Sequence, residues 1–293
     1  MKNIAFIVNP IAGTKTKNRV SKLIRELLDK ELFSPTIVTT EYAGHATQLA
    51  HHFALEGYYA VVAVGGDAVV NEVASGLRNS NTALGIVPNG DDNMFARHLD
   101  ISTRMNRSIE MLNTSEVINV DYCTINDIPF FSACSVGFDS IIAPDCSNTN
   151  KGIKDYVESI SENLVQHTPE NYLLKTSDVS IETTAFFINF ANANQWGNDA
   201  NVAPKVSIQD GWIDITIVTK VPLSITPEPT YQLFTRNINE NLCINTIRKK
   251  EITLVRTNEK NPIYVDGFPI KTDGDLTFKI VEDGLKVLVK KRF

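Results

Sequence analysis

Gly65-Gly66-Asp67 ends the apolar, β-branched run Val61-Val62-Ala63-Val64, and a helical pattern follows with Val70, Val73, Ala74 and Leu77 on one face. Glycines at such a point let the backbone approach an anion closely. Asp67 has the chemistry to hold a metal-bound water or a ribose hydroxyl, and Asn71 and Glu72 follow in the first helical turn. Ala68 and Val69 stand where a flexible residue and a hydroxyl would serve a phosphate better. A second loop of this kind runs from Asn9-Pro10 through Ala12-Gly13 into a helix flanked by Lys15 and Lys17. A third, "TTEYAGHA", carries Thr40, and a fourth, "PNGDDN", sets Asp91 and Asp92 after Gly90. Each loop taken alone is equally explained by turn chemistry or helix capping. Two carboxylates facing a polyphosphate would cost roughly 1 kcal/mol per close pair even in high dielectric.

The elements that carry these loops alternate. Asn3–Asn9 is an apolar run of strand length, and Val20, Leu23, Ile24, Leu27 and Leu28 then mark one helical face. "PTIVTT", a helix with Leu49 and Phe53, "YAVVAV", the helix after Asp67 and "ALGIVP" continue a βαβαβαβ pattern. That order predicts a parallel sheet covered on both faces, with ligands beyond the carboxyl ends of its strands. All four loops fall at those ends. From about Val117 the texture changes to short strand-like runs separated by Gly, Asn, Asp and Pro, interrupted by one helix over roughly Gly152–Val165. This predicts an antiparallel sandwich or barrel, with the boundary near Asp121–Asn126: an α/β nucleotide domain over 1–123 and a β-rich domain over 124–293. Asp283-Gly284 in "VEDGLKV" is the best local hairpin signal. The chain has four Asp-Gly dipeptides, so Asp210-Gly211 and Asp266-Gly267 by themselves say only that the chain turns.

Composition narrows the classes. The 293 residues are 43% hydrophobic, enough for real cores, and the longest apolar run is far short of the ~20 residues of a membrane helix. The chain reads as unexported and cytoplasmic. Cys123, Cys134, Cys146 and Cys243 show no metal-ligand spacing, and His51 and His52 are adjacent on a helix, so a transition-metal site is not expected. A net charge of −6 argues against a general grip on nucleic acid, and "IRKKE" reads as a solvated face.

In order and over essentially the whole chain, "VNPIAG", "TEYAGHA", "GGDAVVNEVASGL", "LGIVPNGDDNMFARHL", "SVGFDS", "NANQWGNDANVAPKVSIQDGWIDI" and "VDGFPI" resemble the lipid kinase family related to diacylglycerol kinase. That family includes sphingosine kinases and soluble bacterial lipid kinases. The resemblance implies an α/β nucleotide domain with the architecture of 6-phosphofructokinase and NAD kinase, a β-rich second domain, and ATP and lipid meeting in the cleft. It places Asn9, Gly13, Thr40, Gly65, Gly66, Asp67, Ala68, Val69, Glu72 and Asp91 at ATP-site positions, and Ser207, Asp210 and the Trp212 carbonyl at a structural magnesium site. It implies a lipid substrate met peripherally at the inner membrane face, and leaves a homodimer open.

The departures from the family pattern share a direction. G-G-D-G-T reads Gly65-Gly66-Asp67-Ala68-Val69, G-T-G-N-D reads Gly90-Asp91-Asp92-Asn93-Met94, and D-G-E reads Asp266-Gly267-Phe268. In the family that glutamate is the proposed general base, and phenylalanine can neither accept nor relay a proton. A missing base costs 10²- to 10⁴-fold, roughly 3 to 5 kcal/mol of barrier. Ala68 in a positive-φ position would add strain of about 1 kcal/mol. The expectation is a folded member of the family with weak or no activity. An active kinase using Asp266 or Asp67 through water as substitute base, or an NAD kinase-like enzyme, stand as alternatives.

Overall fold

The computed structural model describes residues 1–10, 14–90, 93–137, 168–193, 206–219, 244–256 and 263–291. Two compact units form: Met1–Asp121 with Glu282–Phe293, and Tyr122–Val281.

Unit 1 is built from β1 (Lys2–Val8), α1 (Thr14–Leu27), β2 (Phe33–Thr39), α2 (His45–Leu55), β3 (Ala60–Gly65), α3 (Asp67–Leu77), β4 (Ala83–Pro88), α4 (Met94–His98), α5 (Met105–Leu112) and the first part of β5 (Ser115–Ile125). The sheet order is β2-β1-β3-β4, all parallel. β3 and β4 are buried along their whole length, as strands covered on both faces must be. Alternate side chains explain how. Ile4, Phe6, Val8, Val62 and Val64 share a core with Val20 and Ile24 of α1 and Ile109 and Leu112 of α5. The residues between them, Ala5, Ile7, Val61 and Ala63, are equally buried and point to the other face. There α2 and α3 lie close together because Gly76 has no side chain: a Cβ on it would stand 2.4 Å from the Thr47 carbonyl oxygen.

Unit 2 holds β6 (Ile128–Phe130), β7 (Ala133–Gly137), β8 (Glu170–Lys175), β9 (Ser180–Ala185), β10 (Phe187–Ala191), β11 (Ile213–Val218), β12 (Ile244–Lys249), β13 (Glu251–Arg256), β14 (Ile263–Val265), β15 (Phe268–Ile270) and the first part of β16 (Leu276–Lys290). One antiparallel sheet runs β12-β11-β10-β7-β14-β15, and facing it β16, β13, β8 and β9 pair in that order. Phe190 and Phe278 stack between the sheets at 3.6 Å, with Phe130 edge-on to Phe278, and Ile188, Ile215, Ile252, Leu254 and Leu276 complete the core. Cys123 and Cys134 are buried within it and form no disulfide, whereas Cys146, Cys243 and the helix expected over Gly152–Val165 lie outside the described residues.

The structure corrects the hairpin expected at Asp283-Gly284. β16 runs straight through that dipeptide; Asp283 takes φ 53° and its N–H donates to Asp121 Oδ1 at 2.8 Å, while the Gly284 carbonyl accepts from Asn79. Local turn chemistry was outweighed by a side-chain acceptor and a neighbouring amide that satisfy the irregular strand. Beyond it, Leu285, Val287 and Leu288 are buried in unit 1, with Val287 paired parallel to Leu84 of β4. The tight hairpins of unit 2 form instead at Asn126-Asp127 and Asp266-Gly267, each pair with positive φ at both residues.

Candidate functional site

The four loops of unit 1 leave one edge of the sheet, and backbone bonds tie each to its neighbour. Asn9 N–H donates to the Val64 carbonyl (3.2 Å), Thr40 N–H to Val8 (3.0 Å), and Asn89 N–H to Gly65 (2.9 Å). Asn9, Thr40, Gly65 and Gly66 are thus brought together at the carboxyl ends of β1, β2 and β3. Gly13 and Asp91 lie outside the described residues.

Gly66 is extended (φ −87°, ψ −169°) and α3 begins at the next residue. Gly66 packs directly on Gly90: a Cβ built on Gly90 would fall 2.5 Å from the Gly66 Cα. Neither loop has room for a side chain between them. Asp67 is turned to this junction, its Oδ1 accepting the Met94 N–H at 2.7 Å. Asn93, buried with φ 50°, closes the loop by donating from Nδ2 to the Gly90 carbonyl (2.6 Å) and accepting the Gly90 N–H (3.2 Å). Its signal in the sequence was an asparagine after glycine and two aspartates, a residue type tolerant of the left-handed region. The two glycine loops are packed backbone to backbone beside the N-terminal end of α3, where the helix dipole favours an anion. These residues fit a nucleotide polyphosphate.

At Ala68 the structure differs from the expectation of strain. Ala68 lies inside α3 and is not among the residues of positive φ, so the strain expected there does not arise. Val69 is buried, and a Cβ on Gly65 would stand 2.8 Å from its Cγ2; it fills the space beneath the glycine. Glu72 is committed to the scaffold: Oε1 accepts Gly44 N–H (2.8 Å) and Oε2 accepts Ala46 N–H (3.1 Å), capping α2 from a neighbouring helix. Beside that cap Tyr42 stacks flat on His45, ring centroids 4.5 Å apart.

In unit 2, Asp266 and Gly267 form the turn between β14 and β15 with φ 48° and 85°. The Asp266 carboxylate is buried and accepts three backbone N–H groups: Phe131 at 2.9 Å, Ser132 at 2.8 Å and Ala133 at 3.1 Å. It holds the 131–133 corner in place. Phe268, one residue past the turn, is 42% exposed.

The magnesium positions form one turn before β11. Ser207 Oγ accepts Gln209 N–H (3.3 Å), and Asp210 Oδ1 accepts Trp212 N–H (3.2 Å). Asp210 Oδ2 is ion-paired to Arg248, which also bonds Asp214. Among the described residues no three His, Cys, Asp or Glu side chains converge as metal ligands. Asp210 is thus already paired with a cationic side chain of this chain, which competes with a metal at that carboxylate. Arg248 had no signal in the sequence, because only strand register sets it opposite Asp214.

Comparisons with known proteins agree with this architecture. Residues 3–125 match the diacylglycerol kinase catalytic domain and residues 132–289 the YegS C-terminal NAD kinase beta sandwich-like domain. The chain is 25% identical over 279 residues to a diacylglycerol kinase of Bacillus subtilis (strain 168), covering 91% of this chain and 90% of that one. It is 22% identical over 280 residues to a probable lipid kinase YegS of Escherichia coli O9:H4 (strain HS), covering 92% and 86%. An uncharacterised protein of Synechocystis sp. is 27% identical over 297 residues; the match takes in 95% of this chain but only 64% of that relative's length. A crystal structure of a candidate diacylglycerol kinase from Bacillus anthracis str. Sterne superposes with a TM-score of 0.82 at 20% identity, over 98% of this chain and 96% of that one, which supports the fold. Matched in both halves and in the order of its motifs, the chain belongs to the diacylglycerol kinase-related lipid kinase family.

Proposed function

We propose that this chain is a catalytically impaired lipid kinase: it takes ATP with magnesium at the glycine loops of unit 1 and has weak or no ability to pass the γ-phosphoryl to a lipid hydroxyl such as that of diacylglycerol. The observation that carries the reading is at the D-G-E position. Phosphoryl transfer needs a group to orient and deprotonate the attacking hydroxyl. Phe268 has none, and Asp266, the nearest substitute in sequence, is held by three backbone amides in a buried corner. Asp67 has one oxygen engaged at Met94, which favours a scaffold role over that of base. In the proposed nucleotide site Asn9, Thr40, Gly65, Gly66 and the backbone of the first turn of α3, from Asp67 to Val69, face the phosphates, Gly13 and Asp91 belong to the same loops, and Glu72 sets the α2 end. Asp91 opposes the polyphosphate by charge.

The lipid would be met peripherally, at the inner face of a membrane from the cytoplasm; no helix of the described residues is long and apolar enough to cross one. A homodimer through an edge strand of unit 2 is compatible with this reading. The test is to incubate the chain with labelled ATP, magnesium, NAD and a mixed lipid extract, beside the variant Ala68→Gly, Val69→Thr, Asp91→Thr, Phe268→Glu. Label entering lipid with the variant and far less with the unmodified chain is expected. Equal rates would overturn the impairment, and label entering NAD instead would favour an NAD kinase-like activity.

A further inference from the structure

We propose that Arg248 replaces the structural cation that family membership implies at Asp210, so that the turn before β11 carries its own positive charge and is held without magnesium. Antiparallel pairing of β11 and β12 sets Arg248 directly opposite Asp214. Nε and Nη2 of Arg248 reach Asp214 Oδ2 at 3.1 and 2.9 Å, and Nη2 also pairs with Asp210 Oδ2. One guanidinium therefore bridges two carboxylates, a geometry its planar fork suits and a lysine could not copy.

The two carboxylates require a cation between them. The Asp214 side chain is 8% exposed and that of Asp210 28% exposed. Burial pushes the Asp214 carboxyl above its ordinary range, Arg248 pulls it back by bonding and charge, and Asp210 pushes it further up. A divalent ion at Asp210 would have to displace the guanidinium and then sit beside it. Around the pair, Trp212 N–H donates to Asp210 Oδ1, Gln209 N–H donates to Ser207 Oγ, and the Lys250 ammonium stands over the Trp212 ring at 5.6 Å. That second cation adds to the repulsion of a metal. Since Arg248 stays charged at every working pH, the turn is indifferent to magnesium concentration. Any magnesium requirement of the protein then belongs to the nucleotide alone.

The inference rests on family membership and not on activity, and it is tested on nucleotide-free protein, so its failure is distinct from failure of the kinase reading. Melting is followed in EDTA and in millimolar magnesium, and terbium is added as a luminescent probe with Trp212 as antenna. The unmodified chain is expected to melt at the same temperature in both, with no terbium emission that depends on Asp210. Arg248→Met is expected to melt lower, to recover in magnesium, and to show terbium emission that a further Asp210→Asn abolishes. Two results overturn the proposal: a magnesium-induced rise in the unmodified chain that Asp210→Asn removes, or an Arg248→Met protein that melts like the unmodified chain. If Arg248→Met does not fold, Arg248→Gln, which keeps a hydrogen-bond donor without the charge, carries the same readout. It is expected to recover in magnesium in a way that Asp210→Asn abolishes, and a variant that melts like the unmodified chain overturns the proposal equally.

Discussion

Phe268 and Asp266 sit two residues apart and have opposite tolerance to change. Phe268 is half exposed, so Phe268→Glu is expected to leave stability within about 0.5 kcal/mol. It is also expected to raise lipid phosphorylation about tenfold or more by restoring a proton acceptor, measured with labelled ATP. No gain would move the defect to the nucleotide loops. Asp266 is the reverse. Asp266→Ala leaves three buried amides without their acceptor and is expected to cost about 3 kcal/mol in urea unfolding. Stability kept while residual activity disappears would instead place Asp266 in the chemistry. Asp266 thus holds a turn and its neighbouring corner, while position 268 carries a phenylalanine where the resemblance implies a glutamate.

At the scale of elements, the loops are set by helix packing as much as by their own residues. Glu72 on α3 caps α2, and Gly76, one turn further on, lets the two helices touch. In an isolated helix Gly→Ala would stabilise by about 1 kcal/mol. Here the added Cβ would stand 2.4 Å from the Thr47 carbonyl oxygen and 2.8 Å from Ala50 Cβ, so the clash decides the sign. Gly76→Ala is expected to destabilise by about 1–3 kcal/mol, read by chemical denaturation. It should also weaken ATP binding, read by calorimetry, by moving the end of α2 that Glu72 grips. A stabilised Gly76→Ala protein would show that α2 can shift without consequence. The Asp-Gly dipeptides teach the same point: Asp266-Gly267 makes the tight turn that the residue pair suits, while Asp283-Gly284 is absorbed into a continuous strand because Asp121 and Asn79 satisfy it there.

For the whole molecule, the last strand matters most. Leu285, Val287 and Leu288 are buried in unit 1 although they follow all of unit 2 in the chain. Each such side chain contributes about 1.5–3 kcal/mol of burial, together comparable with the roughly 5–15 kcal/mol that holds a domain. A chain ending at Val281 is therefore expected to lose amide-exchange protection in β4 while β10 and β11 of unit 2 stay protected. Protection retained in β4 would mean that unit 1 folds from its N-terminal residues alone.

The sequence by itself determined the βα alternation of unit 1, the strand-rich texture of unit 2 and the loops at one sheet edge. Those follow from periodicity and turn residues, which are local and survive in a linear reading. It also determined the family, because ordered motifs preserve ancestry. Tertiary structure alone decided that Val69 lies under Gly65, that Glu72 caps a neighbouring helix, that α5 closes one face of the sheet, that β16 returns to unit 1, and that Arg248 bridges Asp210 and Asp214. Each of these joins residues far apart in the chain through register or packing, and no local pattern encodes which distant backbone amide or charge will arrive to satisfy a given side chain.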